Sequence, residues 1–495
     1  MEHYDLCIIG GGSTGYAAAM RALDFNKKVI LIEKDRLGGA QVFDGVMASK
    51  TLWEYSERIR NVREITKNNE VAENLTYQEV CEEVNNAIFE RKTQLTYHLR
   101  LLQEQLPYGM LTYEKGTGYI IDKNTVRITG DGIKEIKTKF ILICTGSSPR
   151  TIPNILVDET HIMTSDGIHH MNDFPKSLVI LGAGIIGCEY ATMFSNFGKT
   201  KVYLIDKADR ILPFEDEDVS SIVTKNLEKN GVTIHKEAKL VKMEKTTDGR
   251  VEYVLEFKDK TTETFLVDKA LMSIGRVANS DNIGLENVGI KVNDAKQILD
   301  DDTLTSVPNI YTAGDVSGRI SLVNVGEREA RHAVVLMFSD EVPRRIRYNN
   351  ISTIMFLNPE VAAVGMNEQE ARAKKIRYKL AKVDYGTIAR AIAMRKTDGF
   401  FKILVSDDDD MKILGMRAVG EHASSAIQAV ALLISMNKGI DELTQLMHPH
   451  PSIIEGIQEC VRMLKGKSIY KPSVFRDRLQ CYTCHDGICT PIYHK

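Results

Sequence analysis

The sequence predicts an α/β fold: two doubly wound dinucleotide-binding domains and a smaller α+β domain after them. Three observations lead there. A segment that reads as strand, Gly-x-Gly-x-x-Gly turn and helix occurs twice, and each copy is followed by an apolar run ending in an acid. The chain has 495 residues, and at about 150 per domain there is room for roughly three. Its composition, 43% hydrophobic and 26% charged, is that of a globular chain and excludes a disordered, collagen-like or coiled-coil one.

The first copy runs from Asp5 to Gly15. Gly10 permits a tight turn, Gly12 lets a pyrophosphate approach the backbone, and Gly15 lets helix and strand pack closely. The helix N-terminus then faces the phosphates with its partial positive charge. Glu33, at the end of Val29–Glu33, is placed to accept hydrogen bonds from a ribose diol. The second copy, Ser177 to Gly187, carries Gly182, Gly184 and Gly187, and its acid is Asp206. Gly10 to Glu33 spans 23 residues and Gly182 to Asp206 spans 24. One such motif is a weak signal; two matched copies in the strand–turn–helix context are a strong one. Both are Rossmann-like. Asp206 would repel a 2′-phosphate, so NADH is expected at the second site, although Lys207 and Arg210 nearby pull the other way.

Between and after the copies the pattern changes. Residues 50–106 carry apolar positions at helical spacing from Leu52 to Leu106 and few breakers, which predicts helix. Residues 107–145 and 232–275 read as short strands with turn signals at Gly130-Asp-Gly132 and Asp248-Gly249. From about 346, strands and helices mix, from Asn358-Pro359-Glu360 to near Gly466. The stretch 467–495, with Pro472 and Pro491, reads as an extended tail.

Several partners are excluded at this level. The net charge is −3, so no basic excess points to nucleic acid or an anionic membrane. No run reaches the ~18 apolar residues of a membrane span; the longest, around 426–436, is interrupted by Gln428 and Ser435. The N-terminus has no basic region followed by an apolar core and cleavage site, so a cytoplasmic location is expected. Eight cysteines are far too few for a disulfide scaffold.

Further motifs carry a resemblance to the pyridine nucleotide–disulfide oxidoreductases, over about residues 3–470. Ile143-Cys-Thr145-Gly146 is similar to the family's Ala-Thr-Gly turn, and Gly275-Arg276-x-x-Asn279 to its Gly-Arg-x-x-Asn. Thr312-Ala-Gly-Asp315 resembles the second FAD fingerprint, whose Asp binds the ribityl chain. His448-Pro-His450-Pro-Ser-x-x-Glu455 resembles the signature of the dimerisation domain. The resemblance implies FAD at the first site, the nicotinamide cofactor at the second, and a homodimer whose active sites are shared between subunits. It divides the chain into a first FAD-binding segment over residues 1–152, an NAD-binding domain over 153–278, a returning FAD/central segment over 279–345, an interface domain over 346–468 and the tail over 469–495. It also implies that Lys50 stabilises charge near the flavin, that Glu189 pairs with that lysine near the nicotinamide, and that Glu455 orients His450 to move a proton. His448 is read as structural.

The pattern breaks at one place. The family keeps two redox cysteines in Gly-Gly-Thr-Cys-x-x-x-x-Cys-x-x-Ser-Lys. Here Gly38, Gly39, Gly45, Ser49 and Lys50 hold the frame, but Gln41 and Val46 occupy the cysteine positions. Neither forms a disulfide or a thiolate. Cys7, Cys81, Cys144, Cys188 and Cys460 read as core residues, whereas Cys481, Cys484 and Cys489 cluster near the end of the chain. Three readings of that cluster stand open. Cys481 and Cys484 form a Cys-x-x-Cys pair that could relay electrons into the partner's pocket. With Cys489 and His485 or His494 they could bind zinc or an iron–sulfur cluster. They could also be incidental, and no metal ligand is assigned elsewhere. Three functions follow: an FAD-dependent NADH oxidoreductase acting on a disulfide or thiol acceptor through tail cysteines; a diaphorase passing electrons from FAD directly to a quinone or protein acceptor; or a non-catalytic flavin-binding subunit.

Overall fold

Short runs that are apolar on both faces become central parallel strands, because only a strand covered on each side buries every side chain. The computed structural model describes residues 1–67 and 70–492. β1 (Glu2–Ile9) leads through the first glycine turn into α1 (Ser13–Asp24) and β2 (Val29–Glu33). A short α2 (Gly39–Val42) precedes the predicted helical stretch 50–106, which takes in most of α3 (Val46–Thr66), then α4 (Glu70–Asn74) and α5 (Tyr77–Gln105). A capping box starts α5: Thr76 Oγ1 accepts the Glu79 N–H, and the Glu79 carboxylate accepts the Thr76 N–H. Then come β3 (Leu111–Asp122), β4 (Thr125–Gly130), β5 (Ile133–Ile143), β6 (Ser147–Pro149), β7 (Ile162–Met163), a 3₁₀ turn at Ile168–His170, and β8 (Ser177–Leu181). The second glycine turn opens α6 (Ile185–Phe197), followed by β9 (Lys201–Ile205), α7 (Glu217–Lys229) and β10 (Thr233–His235). Five strands follow, β11 (Lys239–Lys245), β12 (Val251–Glu256), β13 (Thr262–Val267), β14 (Lys269–Met272) and β15 (Arg276–Ala278), then β16 (Ile310–Thr312) and α8 (Val323–Phe338).

The chain divides into two units: Met1–Gly182 with Val241–Val254 and Thr264–Ile346, and Ala183–Leu240 with Leu255–Glu263 and Arg347–Lys495. In the first unit, β1 pairs in parallel with β2 and β5, β2 with β3, and β5 with β16. β4 joins β3 and β5 antiparallel. The strand alternation sorts the core. Leu6, Ile8, Leu31 and Leu142 face α1 and α8, where Ala18, Ala19, Ala22, Ala330 and Ala333 permit close approach. Cys7, Ile9, Ile30 and Ile143 face the other way, into a cluster with Ile283, Ile290 and Ile298. β14 pairs in parallel with β7 and β8 in this unit, and β9 with β10 in the other.

The second unit ends in an antiparallel sheet. Its elements are β17 (Ser352–Met355), β18 (Val361–Gly365), α9 (Glu368–Ala373), β19 (Tyr378–Asp384), α10 (Ala389–Met394), β20 (Phe400–Ser406), β21 (Ile413–Val419), α11 (Ala423–Ala426), α12 (Gln428–Ser435), α13 (Asp441–Thr444), α14 (Glu455–Leu464), β22 (Leu479–His485) and β23 (Ile488–Pro491). The strand order is β17-β18-β21-β20-β19-β22-β23. The extended tail is therefore corrected over Leu479–Pro491: β22 pairs with β19, Ala381 opposite Cys481, and β23 pairs with β22. Asp486 and Gly487 both have positive φ, the conformation of a two-residue hairpin turn, for which Asp-Gly is preferred. Among the described residues, no helix is long and apolar enough to cross a membrane.

A buried cation ties α7 to this sheet. Lys402 Nζ, on β20, lies 2.7 Å from Asp216 and 2.8 Å from both Asp218 and Glu368. Burial alone would lower the Lys402 pKa, but the three carboxylates outweigh it and raise the pKa. Beside it, Arg417 Nε meets Glu215 at 2.7 Å. Lys402→Met removes the shared cation, leaving buried Asp216 without one while Asp218 keeps Lys382 and Glu368 keeps Arg372, which costs about 3–5 kcal/mol. The expected readout is a lower urea midpoint at an unchanged m-value; an unshifted midpoint would show that the cluster contributes nothing net.

Candidate active site

The two glycine turns repeat one geometry. Gly10 has φ +109°, and a Cβ there would stand 2.3 Å from the Cys144 carbonyl oxygen. A Cβ on Gly15 would stand 1.9 Å from the Gly10 oxygen. These two positions are closed by backbone. Gly12 is the opposite, with nothing within 4 Å of its Cβ direction. It caps α1 and has no side-chain oxygen to bond the first N–H groups of the helix. In the second turn Gly182, at φ +101°, is closed by the Ser273 carbonyl, 2.6 Å from a built Cβ. Gly184 is open in the same way as Gly12 and caps α6 without a side-chain bond; Gly187 is buried. Each turn therefore leaves bare backbone and unmet N–H donors at the positive end of a helix dipole, the arrangement that takes a pyrophosphate.

The acids repeat too. Glu33 Oε2 accepts the Gly11 N–H at 2.7 Å and Oε1 accepts the Asp35 N–H at 2.7 Å. Asp206 Oδ2 accepts the Ala183 N–H at 2.7 Å and Oδ1 accepts the Ala208 N–H at 2.9 Å. Backbone donors fix each carboxylate and leave its remaining lone pairs for a diol. Arg210 bonds the carbonyls of Pro213 and Glu215 at 3.0 and 2.9 Å, which commits its guanidinium locally.

Behind the first turn, residues distant in sequence converge. Thr145 Oγ1 donates to the Asn279 carbonyl at 2.6 Å, and Asn279 Nδ2 donates to the Thr145 carbonyl at 3.0 Å. Gly146 and Gly275 have positive φ and open Cβ directions. β6 and β15 pair antiparallel, and Arg276 Nε donates to Ser147 Oγ at 2.7 Å. Ser147 Oγ in turn donates to Asp315 Oδ2 at 2.6 Å. Ser147 was not singled out in the sequence; its only cue is its place just after Thr145-Gly146. Glu329, also missed, accepts the Gly314 N–H at 2.8 Å and is 2% exposed. Nothing in the local sequence marks it.

Lys50 lies in the first turns of α3, in the first unit. Glu189 lies in α6 of the second unit, buried, with Oε1 accepting the Phe356 N–H at 2.9 Å. Gln41 is on α2, and Val46 starts α3 with 39% of its surface exposed. The structure brings His450 and Glu455 together: His450 Nδ1 donates to Glu455 Oε1 at 2.8 Å, and Glu455 Oε2 accepts the Ser452 N–H at 3.0 Å. Burial works to raise the Glu455 pKa, but the Ser452 N–H and His450 together hold it below the ordinary value. The His450 side chain is otherwise exposed, at 71%.

The Cys481–Cys484 pair is corrected. Successive residues of a strand face opposite sides, so residues three apart cannot share a face. Cys481 joins the helix-covered core and Cys484 the cluster on the opposite face. Cys484 instead forms a disulfide with Cys489, its partner directly across β22 and β23. Burial pushes the Cys481 thiol up to about 12, against the opposing pull of Lys379. The four-ligand zinc reading loses Cys484 and Cys489 to that bond; His494 lies outside the described residues. Cys7, Cys144, Cys188 and Cys460 are buried, with thiol pKa values raised by burial.

Comparison with known proteins gives this geometry its family. The model of the pyridine nucleotide-disulphide oxidoreductases matches residues 4–330, and that of their dimerisation domain matches residues 351–461. This chain belongs to that family. A dihydrolipoyl dehydrogenase of Bacillus subtilis is 33% identical over 481 residues, covering 94% of this chain and 99% of that one. One from Geobacillus stearothermophilus is 32% identical over 467 residues, covering 94% and 96%. Among solved structures, LpdA from Mycobacterium tuberculosis superposes with a TM-score of 0.84 at 25% identity, covering 94% of this chain and all of the other. A Cu(II) complex of the flavoprotein disulfide reductase RclA from Escherichia coli gives 0.82 at 24% identity, over 94% of this chain and all of that one. The chain is an FAD-dependent pyridine nucleotide oxidoreductase with FAD and NAD(H) as cofactors, and its C-terminal domain supports a homodimer.

The open and closed glycines predict different failures. Gly184→Ala puts a methyl group into the open face and is expected to raise KM for NADH about tenfold, some 1.4 kcal/mol of binding, with FAD content unchanged. Gly182→Ala meets the Ser273 carbonyl and is expected to lower the melting temperature instead. Kinetics and thermal melts of the two variants side by side check this; equal effects would defeat the distinction.

Proposed function

We propose that the enzyme oxidises NADH and passes the electrons to a quinone or protein acceptor without a protein disulfide as intermediary. The observation that carries this is the segment Gly38–Lys50, where the family frame is kept while Gln41 and Val46 stand at both cysteine positions. The tail cysteines give no substitute. Cys484 is bonded to Cys489, and Cys481 is buried with a thiol that ionises far above neutral pH, so its thiolate, the nucleophile in exchange, is a trace species. These facts favour the direct route over the relay. The two intact glycine turns argue against a non-catalytic subunit.

When bound, FAD supplies the two-electron relay between nicotinamide and acceptor. The chain supplies binding and protons. Gly12 and Glu33 hold the first dinucleotide, with Asp315 for the ribityl chain and Lys50 for negative charge near the ring. Gly184 and Asp206 hold the second. Asp206, fixed by two backbone donors, opposes a 2′-phosphate, and Arg210 is occupied elsewhere, so NADH is preferred over NADPH. Quinone reduction adds two electrons and two hydrogens, one carried by the hydride of NADH and one taken up as a proton: NADH + H⁺ + quinone → NAD⁺ + quinol. His450, with Nδ1 held by Glu455, presents its other ring nitrogen as the proton donor. Leu446 and Met447, exposed just before it, fit an interface that places this dyad in the partner's site.

Stopped-flow bleaching of the flavin by NADH tests the first half; no bleaching leaves only the non-catalytic reading. For the second half, His450→Gln is expected to lower turnover about 100-fold with a quinone. It should leave ferricyanide, which takes single electrons and no proton, nearly unaffected. Cys484→Ser with Cys489→Ser should leave quinone turnover per flavin unchanged. A large loss with lipoamide as the best acceptor would overturn the direct route. The kcat/KM ratio for NADH over NADPH should exceed one and fall on Asp206→Asn.

A further inference from the structure

One cluster of side chains takes no part in the chemistry above. Asp44, His169 and His170 each offer one ligand atom, and the three atoms lie within 4.8 Å of one another. Asp44 sits in the loop joining α2 to α3, between Gln41 and Val46. His169 and His170 belong to the 3₁₀ turn at Ile168–His170, with ring centroids 4.1 Å apart. Both sides of the cluster are braced. From α5, Tyr77 Oη donates to the Ile168 carbonyl at 2.7 Å and Cys81 Sγ to the His169 carbonyl at 3.1 Å. On the other side Arg36 bonds Asp44 Oδ2 at 2.6 Å. That leaves Asp44 Oδ1 turned toward His169 Nε2 at 4.0 Å, too far for a hydrogen bond. His169 is 4% exposed, yet its Nδ1 has no hydrogen-bond partner among the described residues. Nδ1 is the ring's other nitrogen; the one that faces Asp44, and is offered to an ion, is Nε2.

We propose that Asp44, His169 and His170 form a binding site for a divalent transition-metal ion of the Zn²⁺ type. Two imidazoles and one carboxylate suit such ions, whereas Mg²⁺ and Ca²⁺ take oxygen donors. Bonds of about 2.0–2.2 Å in tetrahedral geometry set ligand atoms roughly 3.3–3.6 Å apart, so the three groups close by about 1 Å through side-chain rotation. The outward exposure of His170 gives the ion an entry path and leaves a fourth position to water. The ion joins the loop that lacks the family's disulfide to a turn far along the chain, a non-covalent cross-link at that loop. Binding here is independent of which acceptor the enzyme uses.

Untagged, FAD-loaded dimer, stripped with chelator, is titrated with Zn²⁺ by calorimetry and with Co²⁺ by visible absorption. One ion per chain is expected, with Co²⁺ ligand-field bands. Asp44→Asn, His169→Gln and His170→Ala should each weaken binding at least about 100-fold, since even an outer-sphere partner is worth 10–100-fold. His170→Ala removes an exposed side chain, and its flavin spectrum and melting temperature certify the fold. Cys481→Ser should bind as the parent does. Absence of micromolar binding, or full stoichiometry and affinity in His170→Ala, overturns the site.

Discussion

The architecture rests on backbone meeting backbone where a buried strand turns into a helix. At Gly10 and Gly15 the carbonyls of Cys144 and Gly10 come so close that no side chain fits, and Gly182 meets Ser273 in the same way. This crowding lets the helix enter directly behind the strand and points its free N–H groups outward. The bare faces of Gly12 and Gly184 exist because their neighbours are packed so tightly. The acid at the end of the next strand then bonds the turn itself, Glu33 to Gly11 and Asp206 to Ala183, so the carboxylate braces the loop. Binding and stability are one structure here, held by the same few atoms.

Much of this was legible because it is local. Glycine spacing, the acid a fixed distance on, and the five-residue step from His450 to Glu455 are set by the geometry of one turn or helix end. The Arg276–Ser147–Asp315 chain was only half legible: its members fall in separate motifs, and the hydrogen bonds that unite them arise from the pairing of β6 with β15. Asp44 with His169 and His170 was not legible at all. Their grouping depends on α5 holding a short turn in place, a tertiary fact without a sequence period.

The tail shows the other kind of failure. Pro472, Pro491 and a weak apolar pattern argued for an extended segment, while Asp486-Gly487 between Cys484 and Cys489 was a hairpin signal in plain sight. The turn chemistry of Asp486-Gly487 outweighs the composition of the segment. The Cys-x-x-Cys spacing misled for a related reason. It implies redox pairing on a helix or loop, but on a strand it sends the two sulfurs to opposite faces. Segment Gly38–Lys50 teaches the converse: a frame preserved with its cysteines replaced keeps the fold of the loop and changes what the loop can do.

The hairpin also bears on the order in which the chain folds. β19 is flanked by β20, close in sequence, and by β22, which is made long afterward. Until β22 arrives, β19 presents an open row of backbone donors and acceptors beside the apolar side chains of Leu380 and Val383, the kind of edge that recruits strands from other chains. Closing it late, through a contact of long sequence separation, is slow compared with local hairpins. During synthesis the C-terminal sheet therefore passes through a stage with its flank uncovered. The disulfide-clasped hairpin is the piece that ends that stage, covering the open edge of β19.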